Sequence, residues 1–249
     1  MDLPGKVALV TGGTRGIGAA TAAALARSGA DVAIVGRYAD EEALRTKAVV
    51  EEQGRQCLLI TADIGQADEA TRCVAETIEA LGSVDVLVHA AGGAVVGGLL
   101  EVSPEDWHEG FNVHVHAVYH LCRAAVPRMK EKREGAIILI SSVAGIRGLH
   151  FNFAYQVVKG ALPQFARALA RELAGDNIRA SCVAPGIIRT RFHDRMTPEQ
   201  KKHNLEHRIP LHREGTPDQV ASLIVELATN DYITGETFVI DGGLTMRIA

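Results

Sequence analysis

A tyrosine and a lysine stand four residues apart in a segment with the periodicity of a helix. Tyr155 and Lys159 therefore share one helix face, and Ser142 lies thirteen residues before the tyrosine, at the end of an apolar run. A free tyrosine, with a pKa of about 10, does not exchange its proton readily at neutral pH. A neighbouring ammonium would favour the phenolate and lower that pKa, and the Ser142 hydroxyl could orient a substrate oxygen. These side chains predict acid–base chemistry at a carbonyl or alcohol group.

A glycine-rich turn near the start of the chain has the composition of a phosphate-binding loop. The run Thr11-Gly12-Gly13-Thr14-Arg15-Gly16-Ile17-Gly18 follows a predicted strand and precedes an alanine-rich predicted helix. Glycines let the backbone turn sharply and approach a diphosphate, and the helix N-terminus supplies free N–H groups and the positive end of a dipole. The turn therefore predicts dinucleotide binding.

The elements that must position these residues are short apolar runs alternating with longer amphipathic segments. The predicted strands are Val7–Thr11, Asp31–Gly36, Gln56–Thr61, Val84–Ala90, Ala136–Ser141, Ile178–Ala184 and Thr237–Ile240. The predicted helices lie near residues 16–28, 40–53, 67–81, 104–132, 153–174 and 216–229. This alternation predicts an α/β fold, a single doubly wound Rossmann-type domain over residues 1–249, with about seven parallel strands and helices on both faces. The weakly patterned residues 189–214 are predicted to form a mobile substrate loop.

Composition excludes several classes of function. The formal net charge is −4 and no Lys/Arg cluster stands out, so a nucleic-acid partner is not expected. No apolar run approaches the roughly 18 residues of a membrane span, and the N-terminus does not have the pattern of a signal peptide. Four dispersed cysteines without a CxxC pair predict reduced, buried thiols in a cytoplasmic protein.

The order and spacing of the motifs resemble the short-chain dehydrogenase/reductase family over essentially the whole chain. The glycine spacing Gly-x-x-x-Gly-x-Gly with Thr11 ahead of it is the first match, and Ser142, Tyr155 and Lys159 fall at the family's distances. The further matches are Asp63 after the third strand, His89-Ala90-Ala91-Gly92 after the fourth, Pro185-Gly186-Ile187-Ile188-Arg189-Thr190 after the sixth, and Thr234-Gly235 with Asp241-Gly242-Gly243 near the end.

The resemblance implies a nicotinamide dinucleotide as cofactor and a set of residues that contact it. Asp63 would contact the adenine, the segment from Pro185 to Thr190 would embrace the nicotinamide, and Lys159 would also hold the ribose hydroxyls. The implied cofactor-binding residues are Gly12, Thr14, Arg15, Gly16, Ile17, Gly18, Arg37, Asp63, Ile64, Ala91, Gly92, Tyr155, Lys159, Pro185, Gly186, Ile188 and Thr190.

The end of the second strand indicates which dinucleotide is used. An acidic residue there would accept a hydrogen bond from the ribose 2′-OH of NAD, whereas an arginine would favour the 2′-phosphate of NADP. Gly36 occupies the acidic position and Arg37 follows it, while Arg15 can approach the same corner. Since no acidic side chain is expected to compete there, the residues favour NADP(H). Asp40 and Glu41 lie slightly beyond and keep NAD(H) open.

One position departs from the family pattern. The family has an asparagine seven residues after a tryptophan like Trp107, where it helps hold a water that connects the lysine to solvent, but this chain has His114. Either His114 takes over that relay as a catalytic residue, or it only packs in the helix. His116 and His120 share a helix face, but His114 is offset and no third ligand is apparent, so no metal site is predicted.

These observations predict an NADP(H)-dependent oxidoreductase that reduces a ketone or oxidises a secondary alcohol. It resembles 3-oxoacyl-carrier-protein-reductase-like members of the family. The alternatives are an NAD-linked sugar or diol dehydrogenase and a non-catalytic NADP-binding sensor. The expected partner is a small carbonyl or alcohol substrate that the loop residues do not identify further, and the resemblance implies a homo-oligomer, a tetramer or a dimer.

Overall fold

Parallel pairing of the apolar runs forms the centre of the molecule. The structure, a computed structural model, describes residues 1–194 and 196–246. Within these residues seven parallel strands form one sheet in the order β3-β2-β1-β4-β5-β6-β7. The strands are β1 Val7–Thr11, β2 Asp31–Gly36, β3 Cys57–Thr61, β4 Val86–His89, β5 Gly135–Ile140, β6 Ile178–Pro185 and β7 Thr237–Ile240. Each predicted strand is present, with its ends within two residues of the predicted bounds.

The sheet is covered by helices on both faces. The helices are α1 Gly16–Arg27, α2 Glu41–Glu51, α3 Ala67–Leu81, α4 Pro104–Phe111, α5 Ala117–Lys132, α6 Phe153–Leu173, α7 Pro198–His203 and α8 Pro217–Thr229. Alternate side chains of one strand enter two separate cores: Leu9 joins the core beneath α3, α5 and α6, whereas Ala8 and Val10 join the core beneath α1 and α8. A strand buried on both sides must be apolar throughout, which explains the continuous apolar runs.

Two predicted segments differ from the structure in their backbone. The predicted helix 104–132 is divided by a π-helical turn at Asn112–His116, so α4 and α5 are separate helices and His114 lies in the turn. The predicted loop 189–214 contains a 3₁₀ turn at Arg191–His193, then α7, then a second π-helical turn at Asn204–Arg208. The loop's predicted mobility stays a prediction, and its Arg195 is outside the described residues.

The strand order places a crevice at the carboxyl ends of β1 and β4. From β1 the chain builds outward through β2 to β3 and then returns to form β4 on the other side of β1. In open α/β sheets, ligands bind outside the carboxyl ends of the strands, where the order reverses. The motifs identified in the sequence follow strand ends or lie on helices at this edge, except Thr234-Gly235, which precedes β7.

Among the residues described, none of the helices combines the length and the apolar character needed to cross a membrane.

Candidate active site

The glycine turn after β1 is held tightly against β2 and β4. The Gly13 amide donates to the Val35 carbonyl at 3.1 Å. A Cβ atom on Gly18 would lie 2.1 Å from the Gly12 carbonyl oxygen, and one on Gly12 would lie 2.7 Å from the Ala91 Cα atom. The backbone therefore passes at distances that only glycine allows at these two positions.

The beginning of α1 has the features of an anion site. Arg15, the N-cap residue, forms no side-chain capping hydrogen bond, and the first turn contains no acidic residue within the described chain. A Cβ atom on Gly16 would meet only Thr190, at 3.4 Å, so the space above the helix start opens toward the segment after β6. Free N–H groups at a helix start with this opening fit the diphosphate of a dinucleotide.

The two arginines near the end of β2, where the adenosine is expected to bind, are both paired with carboxylates. Arg15 donates to Asp40 at 2.5 Å and also lies 3.4 Å from Glu42. Arg37 lies 3.4 Å from Asp63 and 3.2 Å from Glu109. The expectation that no acidic side chain competes at this corner is therefore wrong. Asp40 reaches Arg15 because it caps α2, where its carboxylate also accepts from the Ala43 amide at 3.1 Å.

Ser142, Tyr155 and Lys159 converge at the carboxyl end of β5. Ser142 is the second residue after that strand and caps a 3₁₀ turn by accepting from the Ala144 amide at 3.1 Å. Lys159 Nζ is buried, donates to the Ile140 carbonyl at 2.8 Å, and lies 5.8 Å from the centre of the Tyr155 ring. The neighbouring Ser141 has a different role, since its hydroxyl donates to the Lys159 carbonyl at 2.7 Å and so fixes α6.

Burial changes the proton affinity of both titratable groups of this trio. Loss of solvation lowers the pKa of Lys159 to about 8. The same effect raises the pKa of Tyr155 to about 12, with a hydrogen-bonding contact to Ser142 acting in the opposite direction. The expected lowering of the tyrosine pKa is therefore not found in the protein alone, because burial of the phenol outweighs its favourable neighbours.

His114 lies directly behind the glycines that follow β4. Its Nε2 atom is 3.0 Å from the Gly93 carbonyl oxygen, and a Cβ atom on Gly92 would lie 2.0 Å from its ring. A carbonyl can only accept, so Nε2 carries the hydrogen. Burial first, and then the charge of Lys159, hold the pKa of His114 well below its usual value. The ring is therefore neutral, and Nδ1 is a buried acceptor without a hydrogen-bond partner among the described residues.

A second buried histidine, His89, lies beside it; the motif match included this residue, but it was not among the predicted site residues. His89, the last residue of β4, places Nδ1 3.0 Å from the Thr11 hydroxyl oxygen, and its Nε2 atom has no hydrogen-bond partner among the described residues. Burial first, and then the charge of Lys159, lower the pKa of His89 to about 3. Its position at a strand end beside the glycine turn was the available signal.

The remaining predicted cofactor residues lie along the same edge of the sheet. Asp63 accepts from the Gly65 amide at 3.1 Å, while Ile64 beside it is buried. Pro185 ends β6, and the Gly186 amide donates to the Ile240 carbonyl at 3.0 Å. Ile188 is buried, and the Thr190 hydroxyl donates to its carbonyl at 3.3 Å.

Aromatic rings border the space in front of the Tyr155 ring. Phe192, in the 3₁₀ turn after β6, has its ring centre 5.6 Å from that of Tyr155. Gly97 forms a short parallel bridge with Asn152, which ties the segment after β4 to the start of α6. Phe192 was not among the predicted site residues, because nothing in its local sequence pattern places it near Tyr155.

The described part of the chain offers no candidate metal centre in this region. Nowhere in residues 1–194 and 196–246 do three or more His, Cys, Asp or Glu side chains form a group that could hold a metal ion.

The fold and site define a class of protein. A family model described as "Enoyl-(Acyl carrier protein) reductase" matches residues 12–245. The chain belongs to the short-chain dehydrogenase/reductase family, a family of NAD(P)-dependent oxidoreductases, as the motif order predicted.

Individual relatives match over nearly the full chain. The 3-oxoacyl-[acyl-carrier-protein] reductase FabG of Thermotoga maritima is 36% identical, with 99% of this chain and all of the relative covered. A solved structure from Sinorhizobium meliloti 1021, provisionally assigned as a short-chain alcohol dehydrogenase, superposes with a TM-score of 0.93 at 31% identity and covers 99% of each chain. A blue fluorescent protein from a metagenomic library, solved in complex with NADPH, gives 0.91 at 35% identity and covers 98% of this chain and all of its own.

Proposed function

We propose that this protein reduces a ketone to a secondary alcohol with NADPH, or catalyses the reverse reaction. The observation that carries the proposal is the convergence of Ser142, Tyr155 and buried Lys159 at the end of β5, on the sheet edge that holds the glycine turn. The relatives named as 3-oxoacyl-carrier-protein reductase and alcohol dehydrogenase support carbonyl chemistry.

Tyr155 acts as the general acid in the reduction. When bound, the reduced nicotinamide supplies the hydride to the carbonyl carbon. The Tyr155 hydroxyl gives its proton to the carbonyl oxygen, while Ser142 donates a hydrogen bond to the same oxygen and fixes its direction. Because burial raises the pKa of Tyr155 to about 12, the phenol is protonated at neutral pH, which suits the reductive direction. The resulting phenolate is stabilised by the Lys159 ammonium and then takes up a proton from solvent.

His114 acts as an acceptor in the path by which Tyr155 regains its proton. A shuttle that itself carries the proton needs a pKa near neutrality, and the pKa of His114 lies well below that. The neutral ring instead presents the buried Nδ1 lone pair as an acceptor, near enough to Lys159 for the lysine charge to act on the histidine, and in this role it would replace the family's asparagine. We therefore favour this role over packing alone.

The residues also support NADP(H) over NAD(H). Gly36 leaves the end of β2 without an acid, and Arg15 and Arg37 flank that end. The carboxylates paired with both arginines are the observation that favours the NAD-linked alternative, a sugar or diol dehydrogenase. The metagenomic blue fluorescent protein that superposes on this chain with a TM-score of 0.91 binds NADPH, which supports NADP(H) as the cofactor.

A substrate screen tests the proposal. Purified protein is assayed with NADPH and NADH against β-ketoesters, 3-oxoacyl thioesters, 2-enoyl thioesters, sugars and diols. The proposal expects NADPH oxidation with at least one ketone. Turnover of enoyl thioesters alone would move the chemistry to carbon–carbon double bonds, and NADPH binding without turnover of any substrate would favour the sensor.

We also infer a homo-oligomer, a dimer or tetramer, in the cytoplasm. The four cysteines are free and buried, which suits a reducing compartment. Val239 on the edge strand β7 is 44% exposed, and Tyr119 on α5 is 47% exposed, so both supply apolar area for contact between copies. Light scattering after size exclusion measures the mass, with a monomer as the contrary result.

A further inference from the structure

Gly36 is the last residue of β2, where the character of the side chain decides between the two dinucleotides. A carboxylate at this position binds the 2′-OH of NAD and repels the 2′-phosphate of NADP. The backbone does not explain the glycine, since Gly36 is outside the positive-φ glycines of the described chain and any residue could adopt its conformation. A neighbour must therefore exclude the side chain.

The neighbour is Thr14 of the glycine turn. A Cβ atom on Gly36 would lie 2.6 Å from the Thr14 Cγ2 atom, 2.7 Å from its Oγ1 atom and 3.2 Å from its Cβ atom. Rotation about the threonine side chain moves the first two atoms but leaves the third in place. Threonine is also branched at Cβ and has few alternative rotamers. Even the smallest side chain at position 36 therefore requires Thr14 to move.

Thr14 cannot move away as a unit, because the turn is fastened on both sides. Its side chain is buried, and its carbonyl accepts from the Thr46 hydroxyl of α2 at 3.0 Å. The amide of the preceding residue, Gly13, donates a hydrogen bond of 3.1 Å to the carbonyl of Val35, which directly precedes Gly36. Displacing Thr14 would thus disturb the loop on which a diphosphate is expected to bind.

We propose that Thr14 is a specificity-determining residue, whose side chain keeps position 36 free of any side chain and so prevents an acidic group from selecting NAD. The inference rests on the proposed use of NADP(H). It means that cofactor preference is set by a pair of residues, Thr14 and Gly36, in addition to the arginines. A carboxylate at position 36 becomes compatible with binding only when position 14 is made smaller.

The steric conflict between Thr14 and a side chain at position 36 is tested by measuring the thermal stability of the protein without any cofactor. Gly36→Ala is expected to lower Tm by about 2 to 12 °C, the range that the usual cost of overpacking gives for a chain of this size. Adding Thr14→Ala to Gly36→Ala is expected to recover at least half of that loss, and the cost of Thr14→Ala alone is measured separately. Gly175→Ala is the matched control, since a Cβ atom there meets nothing within 4 Å and its φ is not positive. Equal Tm values for wild type and Gly36→Ala, or no recovery in the double variant, would overturn the proposal.

The specificity part is tested by titrating NADPH and NADH into the same proteins. Gly36→Asp alone is expected to weaken both dinucleotides, because it distorts the turn. Thr14→Ala/Gly36→Asp is expected to regain NADH binding and to shift the NADH-to-NADPH preference about 100-fold or more relative to Thr14→Ala. An unchanged preference in the double variant overturns the specificity role. If wild type binds neither dinucleotide, the proposed function fails, while the Tm comparison still decides the steric relationship between the two residues.

Discussion

The Nζ atom of Lys159 donates a hydrogen bond of 2.8 Å to the carbonyl oxygen of Ile140, the last residue of β5. The same strand leads to Ser142 two residues later, and α6 carries both the lysine and Tyr155. The end of β5 thus positions the Lys159 ammonium and the Ser142 hydroxyl. Helix α6 positions the same ammonium and the Tyr155 phenol. The geometry of the trio depends on how α6 packs against β5 and β6, rather than on a loop.

Replacement of the phenol tests the general acid. Tyr155→Phe is expected to lower kcat by about 10² to 10⁴-fold, the usual contribution of a positioned acid, because the ring remains and only the proton donor is lost. The Kd for NADPH is expected to change little. Steady-state kinetics and fluorescence titration measure the two quantities. Tyr232→Phe, at a position 96% exposed, is the control and should match wild type. A loss of NADPH affinity as large as the loss of kcat would contradict the proton-donor role.

The lowered pKa of Lys159 predicts a pH dependence of stability. The native lysine loses its proton at about pH 8, whereas the unfolded lysine keeps it up to its ordinary pKa of 10.5. Between these values the unfolded chain binds more protons, so stability rises with pH, and the advantage is lost as pH falls through 8. The Tm of wild type minus that of Lys159→Met should therefore increase from neutral pH upward.

The comparison of Tm values should end at about pH 9.5, because the shifted pKa of Tyr155 changes stability in the opposite direction above that pH. Its pKa is raised to about 12, so its contribution is complete below the ordinary value of 10 and is lost as pH rises above it. A Tm difference between wild type and Lys159→Met that is constant or falls over the lower window would show that the lysine is not shifted by burial.

The acceptor role of His114 predicts different results for two replacements. His114→Asn keeps a donor for the Gly93 carbonyl and an acceptor, so kcat should stay within about threefold of wild type. His114→Phe keeps the ring volume but has no polar atom, and kcat should fall about tenfold or more, with KM less affected. Solvent deuterium isotope effects should rise only in the phenylalanine variant. Equal kcat values in the two variants would contradict the acceptor role and would show that His114 contributes only packing.

Much of the fold was predictable because burial on both faces makes each parallel strand a continuous apolar run. Tyr155 and Lys159 were likewise predictable as neighbours, since four residues return to the same helix face. The π-helical turn around His114 was not, because an apolar pattern does not distinguish an added residue within a helix from regular winding. His89 could have been included among the site residues because it ends a predicted strand, but its burial depends on tertiary packing that the sequence does not show.

The ion pairs of the arginines lay beyond the sequence for a different reason. Arg37 and Glu109 are 72 residues apart in the chain and meet only in the folded protein, where the residue after β2 contacts α4. Arg15 and Asp40 are 25 residues apart and meet because the cap of α2 faces the glycine turn. No local pattern indicates such contacts, so the absence of a competing acid was inferred from spacing alone and was wrong.

These ion pairs lead to opposite predictions for two variants at the adenosine end. Arg37→Ala should weaken NADPH by about 10- to 100-fold, the usual cost of losing a hydrogen bond to a charged group, and should change NADH less than about threefold. Glu109→Gln frees the same guanidinium from a carboxylate 3.2 Å away and should tighten NADPH a few-fold. Fluorescence titration of both dinucleotides measures each change, and Arg123→Ala, an exposed arginine on α5 bonded to Tyr119, is the control. If Arg37→Ala weakens NADH as much as NADPH, the guanidinium does not read the 2′-phosphate, and the gain expected from Glu109→Gln should also be absent.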